Sequence, residues 1–179
     1  MRLFVALRLP ADVAHHADRA VAPVREQHPD LKWVPTPRWH VTLAFYGEIE
    51  DDRVDGVADM VERGLQGWKS LALRLVGSGC FDRRALWLGV EGEVDGLRSL
   101  ARAVTFDRSP FRAHVTVARL RGGVDPGPAQ SALAGYVGPG WVTGTVHLVR
   151  STIGATPADS SGAALAYDDV ATWQLADRS

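Results

Sequence analysis

The sequence predicts an α+β fold of largely antiparallel strands, and three observations carry that expectation. Strand-like alternation recurs along the chain, strands repeatedly follow strands without an intervening helix, and one six-residue strand motif occurs twice. Continuous strand-helix alternation, which marks a parallel sheet, is missing. The 179 residues, 46% of them hydrophobic, suffice for one domain with its own core. Cys80 is the only cysteine and can form no internal disulfide.

Arg2 to Leu9 alternates as a strand, and Pro10 opens a helix to about His28 with Ala14, Ala17, Val21 and Val24 at helical spacing. Leu31 to Val34 reads as extended, Pro35-Thr36-Pro37 as a turn, and His40 to Tyr46 as a second strand closed by Gly47. Asp51 and Asp52 begin a helix to about Leu65, striped by Val54, Val57, Val61 and Leu65. Leu71 to Val76 and Ala85 to Val90 form two further strands, joined through Gly77-Ser78-Gly79 and Asp82-Arg83-Arg84. A helix from Glu93 to about Val104 precedes a strand from Phe111 to Leu120 and a Gly/Pro-rich loop to Pro128. A short helix, Ala129 to Tyr136, a strand from Trp141 to Arg150 and a last strand from about Ala164 to Leu175 complete the expected order β-α-β-β-α-β-β-α-β-α-β-β.

Charge narrows the function classes. Twenty basic residues against 21 acidic ones leave a net charge of -1, which disfavours sequence-blind binding to long nucleic acid but permits a small or terminal phosphate ligand. The opening MRLFVALRLPADV carries an apolar run that Arg8 interrupts, too short to span a membrane or form a signal core, so a cytoplasmic protein without membrane contact is expected. No Gly-x-x-x-x-Gly-Lys phosphate loop is present, which argues against an ATP-driven ligase.

The repeated motif is His40-Val41-Thr42-Leu43-Ala44-Phe45 and His114-Val115-Thr116-Val117-Ala118-Arg119, identical at four of six positions. Alternation puts His40 beside Thr42, and His114 beside Thr116, on one strand face, with the valines directed into a core behind them. A lone strand Thr is explained by β-propensity, and a lone His by structural hydrogen bonding, but the duplicated pairing favours chemistry. Two imidazoles suit acid-base work near neutral pH, and hydroxyls can donate to oxygens that gain charge. A metal site is the rival use of paired histidines, yet neither motif brings a nearby Asp, Glu or Cys as third ligand, so no metal and no other cofactor is expected.

With these motifs the chain resembles the two-histidine phosphoesterase superfamily, and within it the bacterial RNA 2′,3′-cyclic phosphodiesterases once named 2′-5′ RNA ligases. The similarity also takes in Arg2-Leu3-Phe4-Val5-Ala6, Trp33-Val34-Pro35, Ala85 to Val90, Phe111 to Arg119 and Leu148 to Ser151. Tyr46 and Ala113 depart from the family, which commonly has Leu and Pro there. The resemblance implies a bilobal, pseudo-two-fold fold over residues 1–179, one domain of two lobes, with antiparallel sheets facing across a central cleft and helices outside. It further implies that His40 and His114 are the acid-base pair, that Thr42 and Thr116 hold the phosphate, and that Phe45 and Arg119 sandwich a nucleobase. Strict alternation would put Phe45 and Arg119 on the face opposite their histidines unless the strands end, twist or bulge.

The expected reaction is hydrolysis of 2′,3′-cyclic phosphates on RNA ends or short oligonucleotides, leaving a 2′-phosphate, by a monomeric enzyme able to join ends slowly in reverse. On this resemblance His40 protonates the departing 3′-oxygen and His114 activates water. Competing expectations are an esterase for a small cyclic nucleotide or oligoadenylate, and a non-catalytic module that binds RNA ends. His15, His16, His28 and His147 are expected to serve surface or packing roles. Arg83, Arg84, Arg108 and Arg112 could form a basic rim, though scattered arginines are more often ordinary solvated surface.

Overall fold

The computed structural model describes residues 1–82, 84–105, 107, 109–120, 122–153 and 165–178. Its strands are β1 (Arg2–Arg8), β2 (Lys32–Trp33), β3 (His40–Glu48), β4 (Ala72–Phe81), β5 (Ala85–Gly92), β6 (His114–Arg119), β7 (Val137–Val142), β8 (Thr145–Ile153) and β9 (Leu165–Gln174). The helices are α1 (Ala11–Gln27), α2 (Val54–Leu65), α3 (Val94–Ala103) and α4 (Gly127–Leu133). Every pairing between these described strands is antiparallel, and the sheet order is β7-β4-β5-β6-β3-β1-β8-β9, with β2 added along β6. The α+β expectation therefore holds.

The two motif strands, β3 and β6, meet at the middle of this order through one register pair, Val41 opposite Val115. β1 flanks β3 on one side and β5 flanks β6 on the other, so the sheet halves continue into each other across a narrow seam. Helices cross between the halves: α1, which follows β1, packs against β7 and α4, whereas α3, which follows β5, packs against β3 and α2. The main core lies between this helical layer and the sheet, where Leu3, Val5, Leu7, Val41, Leu86, Leu88, Val115, Leu97 and Leu100 are fully or almost fully buried. Each such side chain contributes about 1.5–3 kcal/mol relative to exposure. A smaller cluster of Phe4, Ala6 and Val149, with Tyr167 against it, occupies the opposite, concave face. That is why β1 is apolar on both sides.

One expected strand divides. The segment Trp141 to Arg150 holds the end of β7 and the start of β8, which belong to opposite ends of the sheet. Only Thr143 and Gly144 link them, so the sheet must curl until its two ends approach. Hydrogen bonds hold this corner: Thr143 N donates to Leu71 O at 2.9 Å, Leu71 N to Thr143 Oγ1 at 3.0 Å, and Leu175 N to Gly144 O at 2.9 Å. The last strand begins at Leu165, and Ala164, where the pattern suggested it, lies outside the described residues.

Gly79 of β4 lies opposite Trp87 of β5, and a Cβ there would overlap the indole ring. The glycine lets Trp87 lie flat across its neighbour. Gly79→Ala should cost about 1–3 kcal/mol of stability, as overpacking does, measured by denaturant unfolding; an unchanged midpoint would show that the indole relocates without strain.

Candidate active site

The seam between β3 and β6 brings the two motifs together. Antiparallel register about Val41 and Val115, both fully buried, directs His40 toward Thr116 and Thr42 toward His114 on the concave face. All four side chains line one cavity of about 330 Å³.

Phe45 and Arg119 line the same cavity, against strict alternation, and the cause is a bulge in each motif strand. Along β1 and β3 the register passes from Ala6 opposite Thr42 to Val5 opposite Ala44, which leaves Leu43 without a partner. Along β5 and β6 it passes from Trp87 opposite Thr116 to Leu86 opposite Ala118, which leaves Val117 without one. In both motifs two consecutive residues, Leu43-Ala44 and Val117-Ala118, therefore point into the core. The following residue returns to the cavity face, where Phe45 is 60% exposed although it is a large apolar side chain.

Backbone carbonyls fix the two imidazoles in the same way. Nδ1 of His40 lies 2.7 Å from the carbonyl oxygen of Arg38, and Nδ1 of His114 lies 2.7 Å from that of Arg112. A carbonyl can only accept, so Nδ1 carries the proton and Nε2 is left to face the cavity as base when neutral or as acid when protonated. Aromatic rings pack each histidine: Phe4 stacks on His40 at 4.9 Å with Tyr167 edge-on at 5.7 Å, while Phe81 stands edge-on to His114 at 4.7 Å beside Trp87 at 6.2 Å. Burial consequently favours the neutral rings. It lowers His40 to about 4 against the pull of the Arg38 carbonyl, with His114, Arg8 and Arg119 adding repulsion, and lowers His114 in the same direction against the pull of the Arg112 carbonyl, with the Arg112 guanidinium adding repulsion.

Arg38 and Arg112 extend the repeat upstream to Arg-x-His-Val-Thr, a signal present in the sequence that inspection of the six-residue motif misses. Their guanidinium groups differ in use. Arg38 lies 4.9 Å from the Tyr167 ring centroid at the cavity wall, with its Nε buried and unpartnered, whereas Arg112 covers Phe81 and Trp87. Arg2, Arg38 and Arg119 line the cavity and no described carboxylate does, an arrangement suited to an anion. Phe4, Phe81, Trp87 and Tyr167 are contributors that local pattern could not reveal, because they reach the histidines from other strands.

The two departures from the family pattern leave this geometry intact. The Tyr46 hydroxyl donates to the Val104 carbonyl on the helix side, where burial raises its pKa, and Ala113 still leaves His114 on the carbonyl two residues before it. Of the other histidines, His147 Nδ1 lies 3.1 Å from Asp169, which also binds Arg8, and His16 Nδ1 lies 2.9 Å from the Tyr136 hydroxyl. Arg83 and Arg108, two of the four rim candidates, lie outside the described residues. No group of three or more His, Cys, Asp or Glu side chains able to hold a metal ion occurs among the described residues.

Comparison with known proteins agrees with this architecture. Residues 7–87, which contain the first motif, match the model of the family described as LigT like Phosphoesterase. The chain is 27% identical over 133 residues to an RNA 2′,3′-cyclic phosphodiesterase of Thermotoga maritima, covering 68% of this chain and 71% of that protein. A protein of the same name from Methanothermobacter thermautotrophicus is 26% identical, covering 68% of this chain and 72% of its own. Among solved structures, a Thermus thermophilus protein superimposes with a TM-score of 0.76 at 24% identity over all of both chains. Escherichia coli LigT in complex with ATP superimposes with 0.73 at 23% identity over 98% of each. Fold and paired motifs together resemble those of the two-histidine phosphoesterases. Within that class the chain is most readily compared with the LigT-like phosphoesterases, which it resembles over residues 7–87.

Nitrogen NMR at pH 7 should find both rings neutral with the proton on Nδ1, and His40 should take its second proton only near pH 4. Titration of His40 at the ordinary value of about 6.5 would contradict the burial argument.

Proposed function

We propose that this chain hydrolyses the 2′,3′-cyclic phosphate ends of RNA or short oligonucleotides to 2′-phosphomonoesters without a metal ion. The observation that carries this reading is the convergence of His40, Thr42, His114 and Thr116 on one anion-suited cavity, with both Nε2 atoms free for proton transfer. The curated relatives, named RNA 2′,3′-cyclic phosphodiesterases, support the choice of substrate.

In the proposed mechanism one imidazole removes a proton from water as its oxygen attacks phosphorus, and the other protonates the departing ribose oxygen. Thr42 and Thr116 donate to the non-bridging oxygens, where charge gathers, and Arg2, Arg38 and Arg119 supply a positive field. Phe45 and Arg119 bind the terminal base by stacking and cation-π contact. With the 5′-hydroxyl of a second RNA end in place of water, the same steps join the two ends slowly through a 2′-5′ bond, the 3′-oxygen again leaving with a proton. The chain acts as a cytoplasmic monomer, one domain with two pseudo-symmetric lobes that each contribute one motif; no described helix is long and apolar enough to cross a membrane.

The division of labour has two readings. The family resemblance makes His40 the acid, but His40 is the ring that burial holds down to about 4, and a ring that resists protonation is the natural base. The electrostatics of the free site therefore favour His40 as base and His114 as acid. A substrate with sulfur at the leaving 3′-position needs no general acid. Selective rescue of His114→Ala by that substrate supports the electrostatic reading, and selective rescue of His40→Ala supports the resemblance.

Purified protein should turn over cyclic-phosphate-ended RNA equally well in EDTA, and either His→Ala variant should lose at least about a hundredfold while remaining folded. Activity that vanishes with EDTA, or survives in either variant, refutes the two-histidine reading. Because both free imidazoles sit below about 6.5, the bell for kcat/KM should be centred on the acid side of neutrality. The bell for kcat should lie higher, since bound phosphate favours the protonated rings. A kcat/KM optimum above neutrality would contradict this order.

A further inference from the structure

A second cavity, of about 780 Å³, opens beside the catalytic one, and Arg119 lines both. Its other walls include Asp82 and Arg84 from the β4–β5 turn, and Leu120, Gly122 and Gly123 from the segment after β6. We propose that this cavity binds the nucleotide preceding the cyclic-phosphate end, with Arg84 gripping the phosphodiester that joins the two nucleotides. The inference rests on the proposed hydrolysis of RNA ends and extends it from the terminal nucleotide to its neighbour.

The walls are fastened to each other. Arg84 N donates to Phe81 O at 2.7 Å, closing the turn, and Leu120 N donates to Arg84 O at 2.8 Å, tying that turn to the end of β6. Asp82 adopts a left-handed conformation, φ 43°, uncommon for a residue other than glycine, which gives the turn a defined shape. Arg84 is thus held beside the cavity by the backbone on both sides of its own peptide unit.

Charge supplies the second argument. Arg119 lies opposite Ala85 on one side and Lys32 on the other, so Lys32, Arg119 and Arg84 border one end of β6. Among the described residues these three form no ion pair, while Arg2, Arg8, Arg25, Arg98 and Arg178 each hold a carboxylate. Cations without an internal partner, beside a cavity in the size range of nucleotide-scale ligands, suit a phosphodiester. Asp82 in the same wall repels a bare multivalent anion and offers an acceptor to a ribose hydroxyl or base amine, which favours a nucleotide over free phosphate. An RNA end supplies such a group next to its terminal base, where Arg119 already stands.

The test compares a mononucleoside 2′,3′-cyclic phosphate with a trinucleotide carrying the same cyclic end, using wild type, Arg84→Ala and Arg84→Glu. Arg84→Ala should lower kcat/KM on the trinucleotide about fivefold to tenfold, chiefly through KM, and Arg84→Glu should lower it further. The mononucleotide should be hydrolysed within about twofold of wild type by both variants, which also verifies their folding, and the salt slope for the trinucleotide should fall by about one. Equal losses on both substrates, or none on the trinucleotide, would overturn the subsite. If wild type hydrolyses neither substrate, the proposed reaction fails by itself, and calorimetry with a 2′-phosphate-ended trinucleotide then decides the subsite. Weaker binding to Arg84→Glu than to wild type supports it, and equal binding overturns it.

Discussion

The contact between Val41 and Val115 is small in area but central in consequence. It is the register pair through which the two halves of the sheet continue into each other, and it sets each histidine toward the other motif's threonine. Both side chains are sealed in the core, so the cavity face rests on hydrophobic packing and the strands cannot slide without exposing that packing. Helices that start from one half and pack on the other reinforce the same alignment.

Around that alignment the molecule applies one solution twice. An arginine carbonyl two residues upstream selects the imidazole tautomer, aromatic rings from neighbouring strands exclude water, and a threonine shares the face. The copies diverge in their surroundings. His40 adjoins Phe4 and Tyr167, which also touch each other, under the influence of Arg119, whereas His114 adjoins Phe81 and Trp87 with Arg112 above them. A symmetric scaffold thus presents two imidazoles in unlike electrostatic surroundings, an arrangement that favours one ring as base and the other as acid.

Much of this was legible in the sequence because it is local. Alternation revealed the strands, and duplication revealed His40, Thr42, His114 and Thr116. Alternation also misdirected Phe45 and Arg119 to the opposite face, since a bulge is a property of two paired strands and neither strand announces it alone. Phe4, Trp87 and Tyr167 read as ordinary strand aromatics, and only the curled sheet brings them to the histidines. The break at Thr143 and Gly144 escaped for the same reason: nothing between Trp141 and Arg150 signals that the two ends of the sheet meet there.

The bulges also give the site a ruler. Cavity-facing residues fall at the first, third and sixth positions of each motif, so the span from threonine to the proposed base contact is three residues where a regular strand would allow two or four. A two-residue span would leave the base contact closer to the phosphate by about 3 Å, one residue rise, and a four-residue span would carry it beyond by as much. Deleting Leu43 or Val117 would preserve facing and hydrophobicity yet shorten one arm of the ruler. Reach along the cavity in this fold can therefore change through the length of the chain between fixed chemical groups, with no cavity-lining side chain replaced.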